Sequence, residues 1–166
     1  MQLVKTHLSR VMLLGFALLL VGTTAACEQA DWDNPEYVSK RLEEGDPTAR
    51  GIALDHAEEL DDEKKKKIAP ALSKVYMEEG AHQKRAMKML VKLRVPAARE
   101  AYMKEVKTNA TGYGGSAAEA LGEAGVKEAI PDMISLYEET DDTDLKNGLL
   151  RAFSHMPDPQ MIPTLV

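Results

Sequence analysis

From residue 35 onward, apolar side chains recur at helical spacing and are separated by short polar turns. Three such stripes are Ile68-Leu72-Val75-Tyr76, Met87-Leu90-Val91-Leu93 and Ile130-Met133-Ile134-Tyr137. Side chains three or four positions apart share one face of an α-helix, so each stripe predicts an amphipathic helix. The chain is therefore expected to be all-α, with each helix burying one face against its neighbours.

The apolar positions also repeat over a longer distance. Residues 118–131 align with residues 150–163 at an offset of 32, which pairs Leu121 with Phe153. Leu90 lies 31 residues before Leu121. A period near 32 is typical of arrays built from two-helix units.

Turn residues divide this region into four helical hairpins. We expect the hairpins at about 35–60, 62–94, 97–125 and 127–156, followed by an incomplete unit at 158–166. The Asp-Pro pair at 46–47 suits a helix start, because Asp accepts from a free N–H and Pro lacks one. Thr143 or Asp144 is expected to cap the second helix of the fourth hairpin. Gly45 and Gly125 are expected to end helices with a positive φ.

Two stretches of the chain resemble HEAT repeats. GDPTARGIALDHAEEL at 45–60 resembles the second helix of a HEAT unit and has Arg50 at the expected place. AAEALGEAGVKEAIPDMISLY at 117–137 resembles the family's helical junction, where Pro131 bends the first helix. The resemblance covers 37–166 and implies a right-handed α-α superhelix of about four hairpins. It also implies a long surface that binds proteins or peptides.

The first 26 residues have the composition of an export signal. Lys5 and Arg10 precede an uninterrupted apolar run at 11–22, and small residues follow. This order is typical of a secretory signal, and the apolar run is shorter than the roughly 18 residues of a membrane-spanning helix. We therefore expect residues 1–26 to be removed.

The end of this segment resembles the lipobox of bacterial lipoproteins. Ala25, Ala26 and Cys27 match its last three positions, whereas Thr24 stands where the family usually has Leu. The resemblance implies cleavage between Ala26 and Cys27, and two or three acyl chains on Cys27. An ordinary signal peptidase that cuts after Ala26 and leaves a free thiol remains the alternative. Residues 27–36 are then the lipidated end and a short tether.

Charge narrows the classes of partner. Without residues 1–26, the chain has 19 basic and 27 acidic side chains, a formal charge of −8. Nucleic-acid binding needs clustered Lys and Arg, so we expect no nucleic-acid partner and favour a basic protein or peptide. Glu28 follows the cysteine, where Asp tends to mean inner-membrane retention in lipoproteins. Because Glu28 rather than Asp stands at this position, we expect the mature protein at the periplasmic face of the outer membrane.

The chain offers no arrangement typical of a catalytic or metal site. His56, His82 and His155 stand apart and form no HExxH pattern. The acidic stretch 141–144 lacks EF-hand spacing, because Lys146 occupies a required ligand position. With a single cysteine, the chain has no multi-cysteine zinc pattern. We expect no metal, no cofactor and no enzymatic activity.

The glycine-rich stretch Gly112, Tyr113, Gly114 and Gly115 is the candidate contact site. It belongs to the longest expected loop, 108–115, and precedes a helix. It lacks the Lys-Ser/Thr of a phosphate-binding loop and does not follow a strand. We therefore interpret it as a flexible loop that contacts a protein partner.

Two other composition features are expected to be structural. The lysine run 64–67 follows the acidic residues 61–63, which predicts a solvated helix with i,i+4 ion pairs. Methionines such as Met77, Met87 and Met133 are expected to fill the core.

The sequence therefore favours a membrane-anchored scaffold or adaptor at the cell envelope. Residues 162–166 open a helix without a partner, so we expect a fragment of a longer array. One alternative is the N-terminal arm of a longer envelope protein with an enzymatic domain beyond Val166. Another is a HEAT-like lyase or hydrolase. The oligomeric state stays open.

Overall fold

The structure is a computed structural model that describes residues 30–161. The expected signal at 1–26, the cleavage and lipidation site at Ala26-Cys27, and the final residues 162–166 lie outside this range. Between Ala30 and Met161, none of the helices combines the length and the apolarity needed to cross a lipid bilayer.

The described residues are helical and contain no strand, which confirms the all-α class. The helices are α1 (Pro35–Glu44), α2 (Pro47–Glu59), α3 (Asp62–Met77), α4 (Gln83–Leu93), α5 (Arg99–Thr108), α6 (Gly114–Glu123), α7 (Ile130–Glu139) and α8 (Thr143–His155). Short 3-10 turns lie at Pro96–Ala98, Lys127–Ala129 and Pro159–Met161.

Consecutive helices pack as hairpins, and the hairpins pack in chain order. Within hairpins, α1 contacts α2, α3 contacts α4, α5 contacts α6 and α7 contacts α8. Between hairpins, odd-numbered helices contact odd-numbered ones, as in α1 with α3 and α3 with α5. The even-numbered helices α2, α4, α6 and α8 contact one another in the same order.

The core follows the long-range period of the sequence. Ala57, Leu90, Leu121 and Phe153 lie on α2, α4, α6 and α8, and each is buried. The equivalent position on each even-numbered helix therefore supplies an apolar side chain to the same shared core. Burying an aliphatic or aromatic side chain stabilises the fold by roughly 1.5–3 kcal/mol relative to leaving it exposed.

Side chains from neighbouring helices satisfy carbonyl groups near the ends of α1 and α4. Arg50 on α2 donates through Nε to the Leu42 carbonyl at 2.8 Å, and its Nη1 lies 2.5 Å from Glu78 Oε2. The Tyr102 hydroxyl donates to the Leu90 carbonyl at 2.6 Å, and burial raises the pKa of Tyr102 to about 12. Carbonyls near the end of a helix can accept bonds from outside it. The Arg50–Leu42 bond joins the two helices of the first hairpin, whereas Arg50–Glu78 and Tyr102–Leu90 join neighbouring hairpins.

Helix starts agree with local sequence chemistry in some places and differ in others. Asp46 caps α2 as expected, accepting from Ala49 N at 2.9 Å. For α8 the expected cap was wrong: Asp142 accepts from the amides of Asp144 and Leu145, while Thr143 is the first residue of the helix. Asp142 has extended backbone torsions, which an N-cap requires.

Three further expectations require correction. Gly45 has φ −69°, so a positive φ does not account for glycine at this position. A side chain would not fit there, because its Cβ would overlap the Arg41 carbonyl. Pro131 lies in the first turn of α7, after a separate 3-10 turn, and so does not bend the helix. Met77 at the end of α3 is 41% exposed, whereas Met87 is buried as expected.

Small residues allow α6 and α8 to pack very closely. A Cβ on Gly148 would overlap the Gly115 carbonyl, and a Cβ on Gly122 would overlap the Ala152 backbone. The two helix backbones therefore touch directly, which explains glycines inside helices despite their low helix propensity.

Candidate functional site

The α5–α6 loop, expected to be a flexible contact site, is held in place by a buried carboxylate. Glu105 on α5 has no exposed surface. Its carboxylate accepts hydrogen bonds from the Tyr76 hydroxyl at 2.9 Å, Thr111 Oγ1 at 2.8 Å, Thr111 N at 3.1 Å and Tyr113 N at 2.9 Å. Burial and the bond to this carboxylate raise the pKa of Tyr76. The loop is therefore anchored to both α3 and α5.

The four residues of the expected contact site differ in their surroundings. Gly112 is exposed with φ +80°, and Tyr113 is half-buried. Gly114 is buried and donates its N–H to Asn109 Oδ1 at 3.0 Å, and Gly115 packs against α8. Gly114 and Gly115 are the first two residues of α6 and are not part of a flexible loop. A Cβ at Gly114 would press on the Asn109 side chain, and a Cβ at Gly115 would overlap the Asp144 carbonyl.

The three histidines among residues 30–161 have separate structural partners. His56 stacks on Trp32 with ring centroids 4.3 Å apart and planes 12° from parallel. His82 Nε2 lies 2.7 Å from the Pro47 carbonyl oxygen. His155 Nε2 lies 3.6 Å from Glu123 Oε1. These contacts join neighbouring elements, and only the last belongs to a group of potential metal ligands.

Glu119, Glu123 and His155 bring three potential ligand atoms within 4.8 Å of one another. Both carboxylates already bind arginines, Glu119 with Arg151 at 3.0 Å and Glu123 with Arg94. A metal would have to displace these guanidinium groups, so we interpret the cluster as an ion-pair network that joins α4, α6 and α8.

Charges of opposite sign alternate along the layer of even-numbered helices. The rows are Asp55, Glu58 and Glu59 on the second half of α2, Lys84, Arg85, Lys88 and Lys92 on α4, Glu119 and Glu123 on α6, and Arg151 on the second half of α8. Arg85 binds Asp55 at 2.7 Å and Glu58 at 2.8 Å across the α2–α4 boundary. The layer therefore presents an ordered charge pattern.

A cavity of about 320 Å³ opens where α2, α3 and α4 meet. We call it the lysine cleft; its lining residues are Glu58, Asp62, Lys65, Lys66, Lys88, Met89, Lys92 and Leu93. The lysines belong to the first turns of α3 and the second half of α4, while Met89 and Leu93 provide apolar surface.

The charge of the lysine cleft is only partly neutralised. Glu58 is engaged by Arg85, whose hydrogen bond lowers the pKa of that carboxyl, and Lys66 binds Glu63 at 2.8 Å. Within the described part of the chain, Lys65, Lys88 and Lys92 form no ion pair at 4.0 Å or less. Because Asp62 is the remaining acid in the lining, the cleft is locally positive on an acidic chain.

The lysine cleft was not expected from the sequence. The run 64–67 was interpreted as a solvated helix with i,i+4 pairs, but Lys64 pairs at i,i+3 with Asp61 and over a long range with Asp33. The missed signal lies on α4, where Lys88 and Lys92 stand four positions apart on a helix with four basic residues and no acid.

Comparison with known proteins gives no assignment for this site. No protein-family model matches the chain, and searches of curated proteins and of solved structures find no significant match.

Proposed function

We propose that this chain is a lipid-anchored scaffold protein of the bacterial cell envelope. An export signal at 1–26 is removed, Cys27 carries the lipid, and a HEAT-like superhelix of helical hairpins binds a protein or peptide. The role is one of binding rather than catalysis. The periplasmic face of the outer membrane is the proposed location, because Glu28 rather than Asp follows the cysteine.

The observation that best supports a scaffold is the continuous layer of even-numbered helices. In repeat arrays each unit packs on its neighbours, which leaves a long surface of parallel helices for partners. Hydrogen-bonded ion pairs between neighbouring hairpins join residues separated by 25 to 32 positions, close to the sequence period. The formal charge of −8 on the chain without residues 1–26 favours a partner with basic side chains, since complementary potentials steer association.

A lipid anchor is consistent with the sequence around Cys27. Each methylene of an acyl chain that inserts into the bilayer contributes about 0.8 kcal/mol to membrane binding, and one chain alone binds only marginally. A lipoprotein cysteine with two or three chains would hold the domain at the membrane permanently. A scaffold fixed in this way binds its partner at a defined distance from the bilayer.

Processing and anchoring are tested by mass and by fractionation. Protein extracted from membranes should have a mass that starts at Cys27 and includes acyl groups. The variant Cys27→Ser should lose the acyl mass and leave the membrane fraction in a carbonate wash. A Cys27→Ser protein that has lost its leader but remains with the membranes would contradict the anchor.

Partner binding is tested by site-specific photo-cross-linking in cells. A photoreactive residue replaces Ile52 on α2 or Leu150 on α8, whose side chains are 45% and 38% exposed on the even-numbered layer. The matched control replaces Glu100, which is exposed on the odd-numbered helix α5. We expect both test positions, but not the control, to give an adduct of one defined mass. Equal labelling at all three positions would argue against a scaffold surface on the even-numbered helices.

A further inference from the structure

We propose that the lysine cleft binds the phosphate of anionic phospholipid headgroups in the membrane that anchors the chain. This inference rests on the proposed lipidation of Cys27. It adds a second membrane contact and fixes which end of the helical domain lies toward the bilayer. The domain would then hold one orientation instead of pivoting on its tether.

Trp32 and Asp33, near the start of the described residues, are docked beside the cleft. Asp33 Oδ1 lies 2.6 Å from Lys64 Nζ, and Lys64 is the chain neighbour of the cleft residue Lys65. Trp32 stacks on His56 in the second half of α2, near Glu58 of the cleft lining. The chain therefore enters the folded domain at the same end as the cleft.

Chain length limits how far this end can lie from the anchor. Asp33 is six residues after Cys27. A fully extended chain spans at most 3.6 Å per residue, so six residues reach no more than about 22 Å. A lipid held at Cys27 thus keeps the lysine cleft close to the headgroup layer.

The charge of the cleft suits a phosphate group. Lys65, Lys88 and Lys92 carry ammonium groups without an ion-pair partner among residues 30–161, and lysine binds phosphate as a point charge. The acids of the lining are Glu58, which is engaged by Arg85, and Asp62, which is exposed in the first turn.

A lipid headgroup is a better occupant than a soluble acidic peptide, because of where the lysines lie. A single lipid anchor and a basic patch together give stable, oriented membrane binding. Each lysine near an anionic membrane surface contributes about 1 kcal/mol to the free energy of membrane binding. This attraction falls off within a Debye length of the surface. The rest of the mature chain is acidic and is repelled by the same surface, so the cleft is favoured to face the bilayer.

The experiment measures vesicle binding of the unlipidated mature chain carrying Cys27→Ser, so that the anchor does not contribute. We expect it to sediment with phosphatidylcholine vesicles that contain phosphatidylglycerol and not with phosphatidylcholine alone, and to dissociate as salt rises. Replacing Lys65, Lys88 and Lys92 by Gln should lower the partition coefficient about a hundredfold, at about fivefold per lysine.

The matched control removes the same charge from the other end of the domain. Lys74, Lys84 and Lys107 lie in the last turn of α3, the first turn of α4 and the last turn of α5. Their replacement by Gln should change partitioning less than about fivefold. Circular dichroism confirms that each variant is folded, and a variant that fails to fold is replaced by the three single substitutions.

Two outcomes would overturn the proposal. One is equal partitioning of the cleft and control variants. The other is lysine-dependent binding of a soluble polyglutamate peptide by a protein that ignores anionic vesicles. Failure of the lipid anchor is detected separately, by the mass of membrane-extracted protein, and leaves the vesicle result intact.

Discussion

Glu105 has the most unusual environment of the charged residues in the described core. Its carboxylate is fully buried, yet its hydrogen-bond partners are neutral groups: the Tyr76 hydroxyl, the Thr111 hydroxyl and two backbone amides. An isolated buried charge is strongly unfavourable, whereas a carboxylate that accepts several hydrogen bonds is well solvated by the protein. Glu105 therefore accepts the hydrogen bonds that the Thr111 and Tyr113 amides of the α5–α6 loop would otherwise donate to water. These bonds fix the conformation of the loop.

We expect Glu105→Gln to destabilise the protein by about 2–3 kcal/mol, because the new amide places an N–H₂ against groups that are themselves donors. Denaturant unfolding measures this loss, and hydrogen exchange should show faster exchange of the Thr111 and Tyr113 amides. Glu100→Gln is the matched control, since Glu100 is exposed on the same helix. Similar stability of the two variants would show that the buried hydrogen bonds contribute little.

The role of Glu105 could be predicted only in part from the sequence. Within α5 it shares a face with Ala101 and Tyr102, both of which are buried, so a charged residue on an apolar stripe was a visible signal. Its partners could not be read in the same way. Tyr76 is 29 positions away, and the loop amides point to the carboxylate only after the chain folds.

At the scale of single helices, local sequence chemistry predicts one of the two expected caps and one of the two expected glycine ends. Gly125 has φ +69° after α6, as expected, whereas Gly45 does not have a positive φ. The Asp46 cap follows from side-chain and backbone preferences alone, and it is confirmed. Gly45 and Gly115 are explained by close contacts with other chain segments, which composition does not reveal. A helical glycine is therefore ambiguous in sequence, because the same residue suits a turn, a flexible loop or a tight helix contact.

Two helical glycines give opposite predictions for substitution by alanine. Alanine favours a helix over glycine by about 1 kcal/mol, and this gain applies to both sites. At Gly148 the new Cβ would overlap the Gly115 carbonyl, and overpacking costs typically 1–3 kcal/mol, so Gly148→Ala should destabilise. At Gly51 the Cβ would meet only the His82 ring at 3.4 Å, so Gly51→Ala should be neutral or stabilising.

Thermal unfolding of the two alanine variants decides between these effects. The Gly148→Ala midpoint should fall and the Gly51→Ala midpoint should stay or rise. If both midpoints rise, helix propensity outweighs packing, and the close approach of α6 and α8 is wrong.

For the whole molecule, the sequence period predicts more than any local motif does. Residues 31 to 33 positions apart, such as Ala57, Leu90 and Leu121, occupy the same buried place on successive even-numbered helices. The sequence period did not predict the lysine cleft, because Lys65 and Lys88 come together only when α3 pairs with α4. Periodic apolar residues can therefore be recognised in sequence, whereas a binding cavity depends on how separate helices meet.

The packing of each hairpin mainly on its neighbours predicts how the molecule unfolds. In an array stabilised by neighbour contacts, loss of a central unit uncouples both sides, while loss of a terminal unit affects its own end. Leu42 on α1 and Leu90 on α4 are both fully buried, and replacing either by alanine should cost about 2–5 kcal/mol. The same chemical change thus tests a terminal and a central hairpin of the described residues.

We expect the two variants to differ in where protection is lost during hydrogen exchange. Leu42→Ala should speed the exchange of amides in α1 and α2 and leave α6 and α8 as in the parent protein. Leu90→Ala should speed exchange in α1 and α2 and also in α5 and α6, because α4 contacts α2, α3, α5 and α6. Equal acceleration of α6 and α8 in both variants would mean that the helices unfold as one unit, and stability would then not be divisible among neighbouring hairpins.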